Sequence, residues 1–356
     1  MQSANQNTFL SLVRMGIGHS SAQPDVDNWQ AIKALADKQG LTAVVADGIE
    51  NLQDTKRPPK ELLLQWIGEV LQGEATFKLH KEVASDMANL FHCNQIRTYV
   101  LKGLIVAECY PRHNHRVSVD MDCYLKSEKE KFDAWKVGND LIEAKQFEVS
   151  SGYYKNSTFH LPGLSVENHK FLTPFRGNKR LASLEKLLQS FLNEDTGEDI
   201  IEGTWLYRPP VIVSALFLIE HAYSHFLHEG LTWRMVLDWV LFSEKHRNEI
   251  DWPSLEVYVD EFGFRKFFDS YNRLGLFLLE KISEDDLSKP ETKMLEDVWN
   301  PLDLHKTLHG IRGKLSLVGN TWRARWKYHY FAEISMLHAL WIQVYGFLFE
   351  KHPALD

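Results

Sequence analysis

Cysteine is scarce and unpaired in this sequence: Cys93, Cys109 and Cys123 show no CxxC or other ligand spacing. That excludes a disulfide framework and a cysteine-ligated zinc ribbon. All three lie in apolar stretches, so buried free thiols in a reducing compartment are expected. Positive charge is also in deficit. The 48 acidic residues outnumber 40 Lys and Arg, for a net charge of -8, whereas sequence-independent nucleic-acid binding needs the reverse. Nucleic acid is thus demoted as a partner, with a local basic patch left open. No hydrophobic run is long enough to span a bilayer. The strongest, Val211 to Ile219, stops at Glu220 and His221, short of the roughly 20 residues a spanning helix needs. Met1 to Ser21 lacks a charged segment leading into an apolar run, so no secretory signal is read. The G-x-S-x-G, G-x-x-x-x-G-K-[ST] and H-E-x-x-H motifs are absent too, which removes the common serine-hydrolase, P-loop and zinc-peptidase readings. A soluble cytoplasmic protein without a membrane partner is expected.

What is present is a chain of 356 residues, 44% hydrophobic and 25% charged, enough for two modest domains or one with helical additions. Residues 1 to 90 read as helices at a period near 3.6. Trp29, Ile32, Leu35 and Ala36 form one stripe, Leu41 to Leu52 continues it, and a long helix runs from Glu61 toward Leu90. The character changes near residue 96. Ile96 to Leu101 reads as a buried strand, Lys102-Gly103 as a turn, and Leu104 to Tyr110 as a helix ending at Pro111. Val117 to Leu125 alternates cleanly: Val117, Val119, Met121, Cys123 and Leu125 on one face, Ser118, Asp120, Asp122 and Tyr124 on the other. Phe132 to Lys145 reads as a helix. Phe147 to Tyr154, Ser157 to Leu161 and Leu164 to Leu172 read as strands, the last two joined at Pro162-Gly163. From Leu181 the pattern is helical, interrupted at Pro209-Pro210, Pro253 and Pro301, and Tyr328 to Leu348 reads as a core helix. The expectation is an α+β protein: an N-terminal helical segment (1–90), a small mixed-sheet α/β core (91–180) and a C-terminal helical domain (181–356).

Asp120 and Asp122 are the chemically informative pair. Two residues apart on a strand, their side chains share a face, where two ionised carboxylates repel unless a proton or a cation stands between them. A hard divalent ion, Mg²⁺ or Mn²⁺, suits oxygen ligands and leaves positions for phosphate oxygens. Glu167, sharing a face with His169 on the later strand, is the candidate third ligand, and a carboxylate triad of this kind serves phosphoryl or nucleotidyl transfer. Lys102-Gly103 opens a helix, where free N–H groups and close backbone approach favour phosphate. Arg116 either neutralises the carboxylates, reaches a phosphate or forms a structural ion pair. Each feature alone has a plainer reading as a turn or a solvated strand face.

The run LKGLIVAECYPRHNHRVSVDMDCYL, residues 101–125, resembles the bacterial uncharacterised nucleotidyltransferase family of the polymerase-β-like superfamily. Lys102-Gly103, Tyr110-Pro111, Arg116 and Asp120-Met121-Asp122 fall in the family's order, followed by Glu167-Asn168-His169. Further on, HAYSH (221–225), Arg234 with Asp238, and Asp251-Trp252 continue the likeness. The resemblance implies a small mixed sheet flanked by helices and transfer of a nucleoside monophosphate from a nucleoside triphosphate to an unknown hydroxyl acceptor. It implies that Asp120, Asp122 and Glu167 hold the metals and act in catalysis, with Lys102, Gly103 and Arg116 at the triphosphate. Departures are visible. The superfamily's Gly-Ser turn is Lys-Gly-Leu, Cys123-Tyr124 replaces aliphatics, and Lys170 stands where an aromatic is usual. They keep open a catalytically degenerate nucleotide-binding relative with a regulatory or protein-interaction role, and a helical interaction protein in which the acidic pair is incidental.

His221, His225 and His228 share a helix face at i, i+4 and i+7, so zinc is one reading and aromatic packing the plainer one. Arg234 and Asp238 at i, i+4 read as an exposed ion pair. Arg176, Lys179 and Arg180 form a basic loop that is either solvated or phosphate-contacting.

Overall fold

The structure is a computed structural model and describes residues 3–116, 118–128, 132–197, 199–301 and 322–341. One mixed sheet organises it. β1 (Ile96–Val100), β2 (Asp120–Ser127), β3 (Glu148–Tyr153), β4 (Asn156–Leu161), β5 (Leu164–His169) and β6 (Leu206–Tyr207) lie in the order β3-β4-β5-β2-β1-β6. β4 and β5 form the hairpin expected at Pro162-Gly163, with Gly163 at φ +77 in the turn. β5 then runs parallel to β2, which is antiparallel to β1. The two-residue β6 has no sequence signal of its own; it is specified by its parallel partner β1.

The helices explain which sheet face carries chemistry. α1 (Ala4–Gly16), α2 (Trp29–Gln39) and α3 (Thr42–Glu50) precede α4 (Lys60–Cys93), a 34-residue helix. Its first half packs on α3 and its second on β1 and β5. α6 (Ala134–Ala144) crosses the same sheet face, fitted closely at Gly138, where a Cβ would meet Leu125 Cδ1 at 2.3 Å. Those two helices bury Met121, Cys123, Leu125 and Val166. α5 (Leu104–Ala107), α7 (Lys179–Glu194), α8 (Val211–His228) and α9 (Trp233–Lys245) come next outside the strands, and Phe217 of α8 places its ring edge on His169 of the opposite sheet face. α8 has the length and composition to cross a membrane, but 56% of it is buried inside the protein.

α10 (Trp252–Glu261), α11 (Arg265–Leu278), α12 (Lys289–Trp299) and α13 (Arg325–Phe331) follow. The N-terminal helices close onto this group. Arg14 donates to the Leu278 and Phe277 carbonyls, and Gln39 bridges the Trp233 amide and the Val298 carbonyl. α1 and α3 cross so tightly that a Cβ on Gly48 would lie 2.1 Å from the Leu12 carbonyl oxygen.

Several expectations need correction. Val119 is 83% exposed, because the strand begins at Asp120 and residue 119 belongs to a bend before it; Val117 lies outside the described residues. Cys93 is exposed at the end of α4, Cys109 is half-buried, and Cys123 alone is fully buried. Pro253 sits in the first turn of α10 and helps start it. The helix read over Tyr328 to Leu348 stops at Phe331, with Ala332 extended, and resumes at Met336; residues 342–348 lie outside the described residues.

Candidate functional site

Parallel pairing of β2 with β5 puts Asp122 directly opposite Glu167 and Tyr124 opposite His169. Register partners project from the same face, so two carboxylates and an imidazole converge. Ligand atoms of Asp122, Glu167 and His169 all lie within 4.8 Å of one another, the one such group among the described residues. His169 Nε2 is 3.0 Å from Asp122 Oδ1 and 3.5 Å from Glu167 Oε2. Its Nδ1 faces the Phe171 carbonyl at 3.2 Å, which fixes Nδ1 as a donor and leaves Nε2 for the carboxylates.

Lys102 brings the positive charge. Its Nζ is 2.9 Å from Asp122 Oδ2 and donates to His221 Nε2 at 3.2 Å. Electrostatics follow from this crowding. Burial alone would raise the Asp122 pKa, yet the Lys102 charge and the His169 hydrogen bond hold it well below the usual carboxylate range. Burial alone would lower His169, and its bonds to Asp122 and Glu167 raise it instead. His221 goes the other way: burial and then the Lys102 charge push it well below the ordinary imidazole value, so it serves as a neutral acceptor. Glu167 is the open member, with 36% of its side chain accessible against 3% for Asp122.

Asp120 does not join this set. It lies at the start of β2 in a crevice lined by His80, Gly103, Arg116 and Ser118. Gly103 has φ +76, and the space where its Cβ would stand is 3.6 Å from Ser118 Oγ; a side chain there would strain the turn and narrow the crevice. Arg116 is 3% exposed and is held by Asp238: Nε donates to Oδ1 at 3.1 Å and Nη2 to Oδ2 at 2.7 Å, while Tyr110 Oη donates to Oδ1 at 2.7 Å. Of the expected roles for Arg116, the structure therefore displays the ion pair. Asp238, read from sequence as the partner of Arg234 on an exposed helix face, is 6% exposed and turned to Arg116 and Tyr110.

The histidine trio takes up different partners, although the His221 ring stacks on Phe217 and lies 4.4 Å from that of His225. His225 pairs with Glu229 and His228 Nδ1 donates to the Ser224 carbonyl, whereas His221 turns to Lys102. His169 and His221 are the site residues that sequence reasoning undervalued. The Glu-x-His spacing placed His169 on the correct face. Nothing in the sequence sets the rotation of α8 that aims His221.

The donor set fits a divalent cation. Asp122 Oδ2 is buried and accepts no hydrogen bond among the described residues, meeting Lys102 only as an ion pair. A carbonyl-anchored Nδ1–H on His169 is the usual support for an imidazole that ligates through Nε2. Two carboxylates with one imidazole suit Mn²⁺ as well as Mg²⁺.

Comparison with known proteins gives one positive result: neither the curated proteins nor the solved structures contain a significant match, but a family model does match, and its span holds every residue of the site. By that match, over residues 25–274, the chain belongs to the uncharacterised nucleotidyltransferase family.

Proposed function

We propose that the protein is a metal-dependent nucleotidyltransferase of the polymerase-β-like type. It moves a nucleoside monophosphate from a nucleoside triphosphate to a hydroxyl acceptor in the cytoplasm. The observation that carries this reading is the Asp122–Glu167–His169 convergence across two parallel strands. Asp122 and Glu167 would hold Mg²⁺ or Mn²⁺, with His169 beside them and Asp120 contributing from the strand start. Bound there, the ion would neutralise charge on the phosphate oxygens. The chain's own groups do the rest. The Lys102 ammonium, now on Asp122, is placed to move to a phosphate oxygen when an ion takes over that carboxylate. Gly103 keeps the backbone bare for close approach. Arg116 stays with Asp238 and adds positive potential beside Asp120. Glu167 Oε is the accessible base for the acceptor hydroxyl proton.

A second reading has its own support. Lys102 already compensates Asp122 at 2.9 Å, which is what a relative that binds nucleotide without turning it over would retain. The two are separated by incubating wild type and Asp120→Ala/Glu167→Ala with each of the four α-labelled ribonucleoside triphosphates and Mg²⁺ or Mn²⁺. Pyrophosphate release that disappears in the variant supports transfer. Retained triphosphate binding without turnover selects the degenerate relative, and no binding to the wild type overturns both.

A further inference from the structure

A second cavity opens between the loop before α7, the exposed side of α8 and the turn at residues 262–264, lined by Tyr154, Arg176, Lys179, Glu220, Tyr223 and Phe264 among others. Its composition is unusual for a gap between helices. The Glu220 carboxylate is 2% exposed, lines the cavity, and has no hydrogen-bond or ion-pair partner among the described residues. Burying an acid in this way is costly unless donors arrive to meet it. Consistent with that, burial raises its carboxyl pKa, and the more distant charges of Lys155, His225 and His169 only partly oppose the rise. In the same lining, the Arg176 guanidinium carbon stands over the Tyr154 ring, 4.1 Å from its centroid. The rim is basic, with Arg176 from the loop, Lys179 at the start of α7 and Arg180 paired to Glu333.

These features select a ligand class. A cationic amine would suit the acid and be repelled by the rim. A phosphate alone would suit the rim and be repelled by the acid. A nucleotide satisfies both, its phosphate facing the basic edge, its base beside the Arg176–Tyr154 stack and its N–H donors on Glu220. The base can be narrowed further. Ionised, at a pH above its raised pKa, the Glu220 carboxylate presents two parallel acceptors, and only guanine offers two adjacent donors, its N1–H and its exocyclic amine. Adenine and cytosine set an acceptor beside their amine, and uracil flanks its single N–H with carbonyls, so each leaves one carboxylate oxygen facing another acceptor.

We infer that this cavity is a base-recognition site in which Glu220 selects guanine nucleotides. The inference rests on the nucleotidyltransferase reading for its purpose, and the cavity adjoins that site: Glu220 is the neighbour of His221 on α8, and the His169 charge acts on its carboxylate.

The test uses monophosphates in EDTA, so that the metal centre takes no part. Calorimetric titration of the full chain with guanosine 5′-monophosphate should show affinity at least tenfold above that for the adenosine, cytidine and uridine monophosphates. Glu220→Gln, of the same size but with one acceptor replaced by a donor, should lose that preference. Arg176→Ala should weaken all four alike. Equal binding of the four by the wild type, or an unchanged preference in a folded Glu220→Gln variant, overturns the inference; should that variant not fold, the wild-type order decides. Guanine preference without triphosphate turnover would leave the base site standing and remove the transfer reading. Turnover without base preference would do the opposite.

Discussion

Lys102 Nζ stands 2.9 Å from Asp122 Oδ2 and 3.2 Å from His221 Nε2, an internal cation held on the carboxylate that the transfer reading assigns to a metal. One position cannot hold an ammonium and a divalent ion together without strong repulsion. Replacing Lys102 with Met should therefore tighten Mn²⁺ binding, on the order of tenfold, and weaken triphosphate binding by removing its phosphate partner. Mn²⁺ titration by electron paramagnetic resonance, with and without triphosphate, measures both. Unchanged Mn²⁺ affinity would mean that Lys102 does not compete for the site.

The Arg116–Asp238 pair makes a separate claim about stability. Both groups are buried, and Tyr110 completes the bonding of the carboxylate. Arg116→Ala or Asp238→Ala leaves a buried charge without its partner, at a cost of about 3–5 kcal/mol, whereas Tyr110→Phe should cost about 1 kcal/mol. Urea unfolding of the single and double variants checks this. Losing the pair should be far from additive, since the second deletion removes the charge the first one stranded.

How much of this was legible beforehand differs by element. The strands were readable because alternation in 120–125 and the Pro162-Gly163 turn act locally, and the hairpin formed as expected. The pairing of Asp122 with Glu167 was anticipated in outline, since both lie on strands with the correct face outward. The displacement of Asp120 from the cluster was not, because it arises where the strand gives way to a bend. The contact of His221 with Lys102 and the burial of Asp238 were missed for a related reason, whereas the aromatic packing read for His221 is present on Phe217. Spacing along a helix tells which residues share a face, and it says nothing about which neighbour that face meets.

His115 gives the molecule a pH dependence whose sign can be worked out. It is buried between Asp47 Oδ2 at 2.8 Å and Glu74 Oε1 at 3.0 Å, with Arg112 also on Asp47. Burial would lower its pKa, but the bonds to Asp47 and then Glu74 raise it above the unfolded value, which is about 6.5. A group raised on folding stabilises fully below the unfolded pKa and loses that contribution as pH climbs through the folded one. Wild type should thus lose stability relative to His115→Gln as pH rises from about 6.5 toward the alkaline side, by about 1–3 kcal/mol in all. Denaturant unfolding of both proteins across that range reads the difference, and parallel curves would contradict it.

Asp120 and Asp122 stand two residues apart, yet their removal should have unlike consequences. Asp122 is 2% exposed and joins Lys102 and His169; without it the half-buried Lys102 loses its ion-pair partner and the buried His169 keeps only the longer contact to Glu167. Asp122→Ala should accordingly destabilise the fold by about 3–5 kcal/mol. Asp120 is half-buried at the strand start, and since no described residue forms an ion pair with it, Asp120→Ala should stay within about 1 kcal/mol of wild type. Thermal unfolding of the two variants side by side settles the contrast. If it holds, loss of activity in Asp120→Ala reports on chemistry, while the same loss in Asp122→Ala mixes chemistry with folding. Equal stability of the two would mean that Lys102 and His169 find other partners once the carboxylate is gone, and that Asp122 is held in place for its ligand alone.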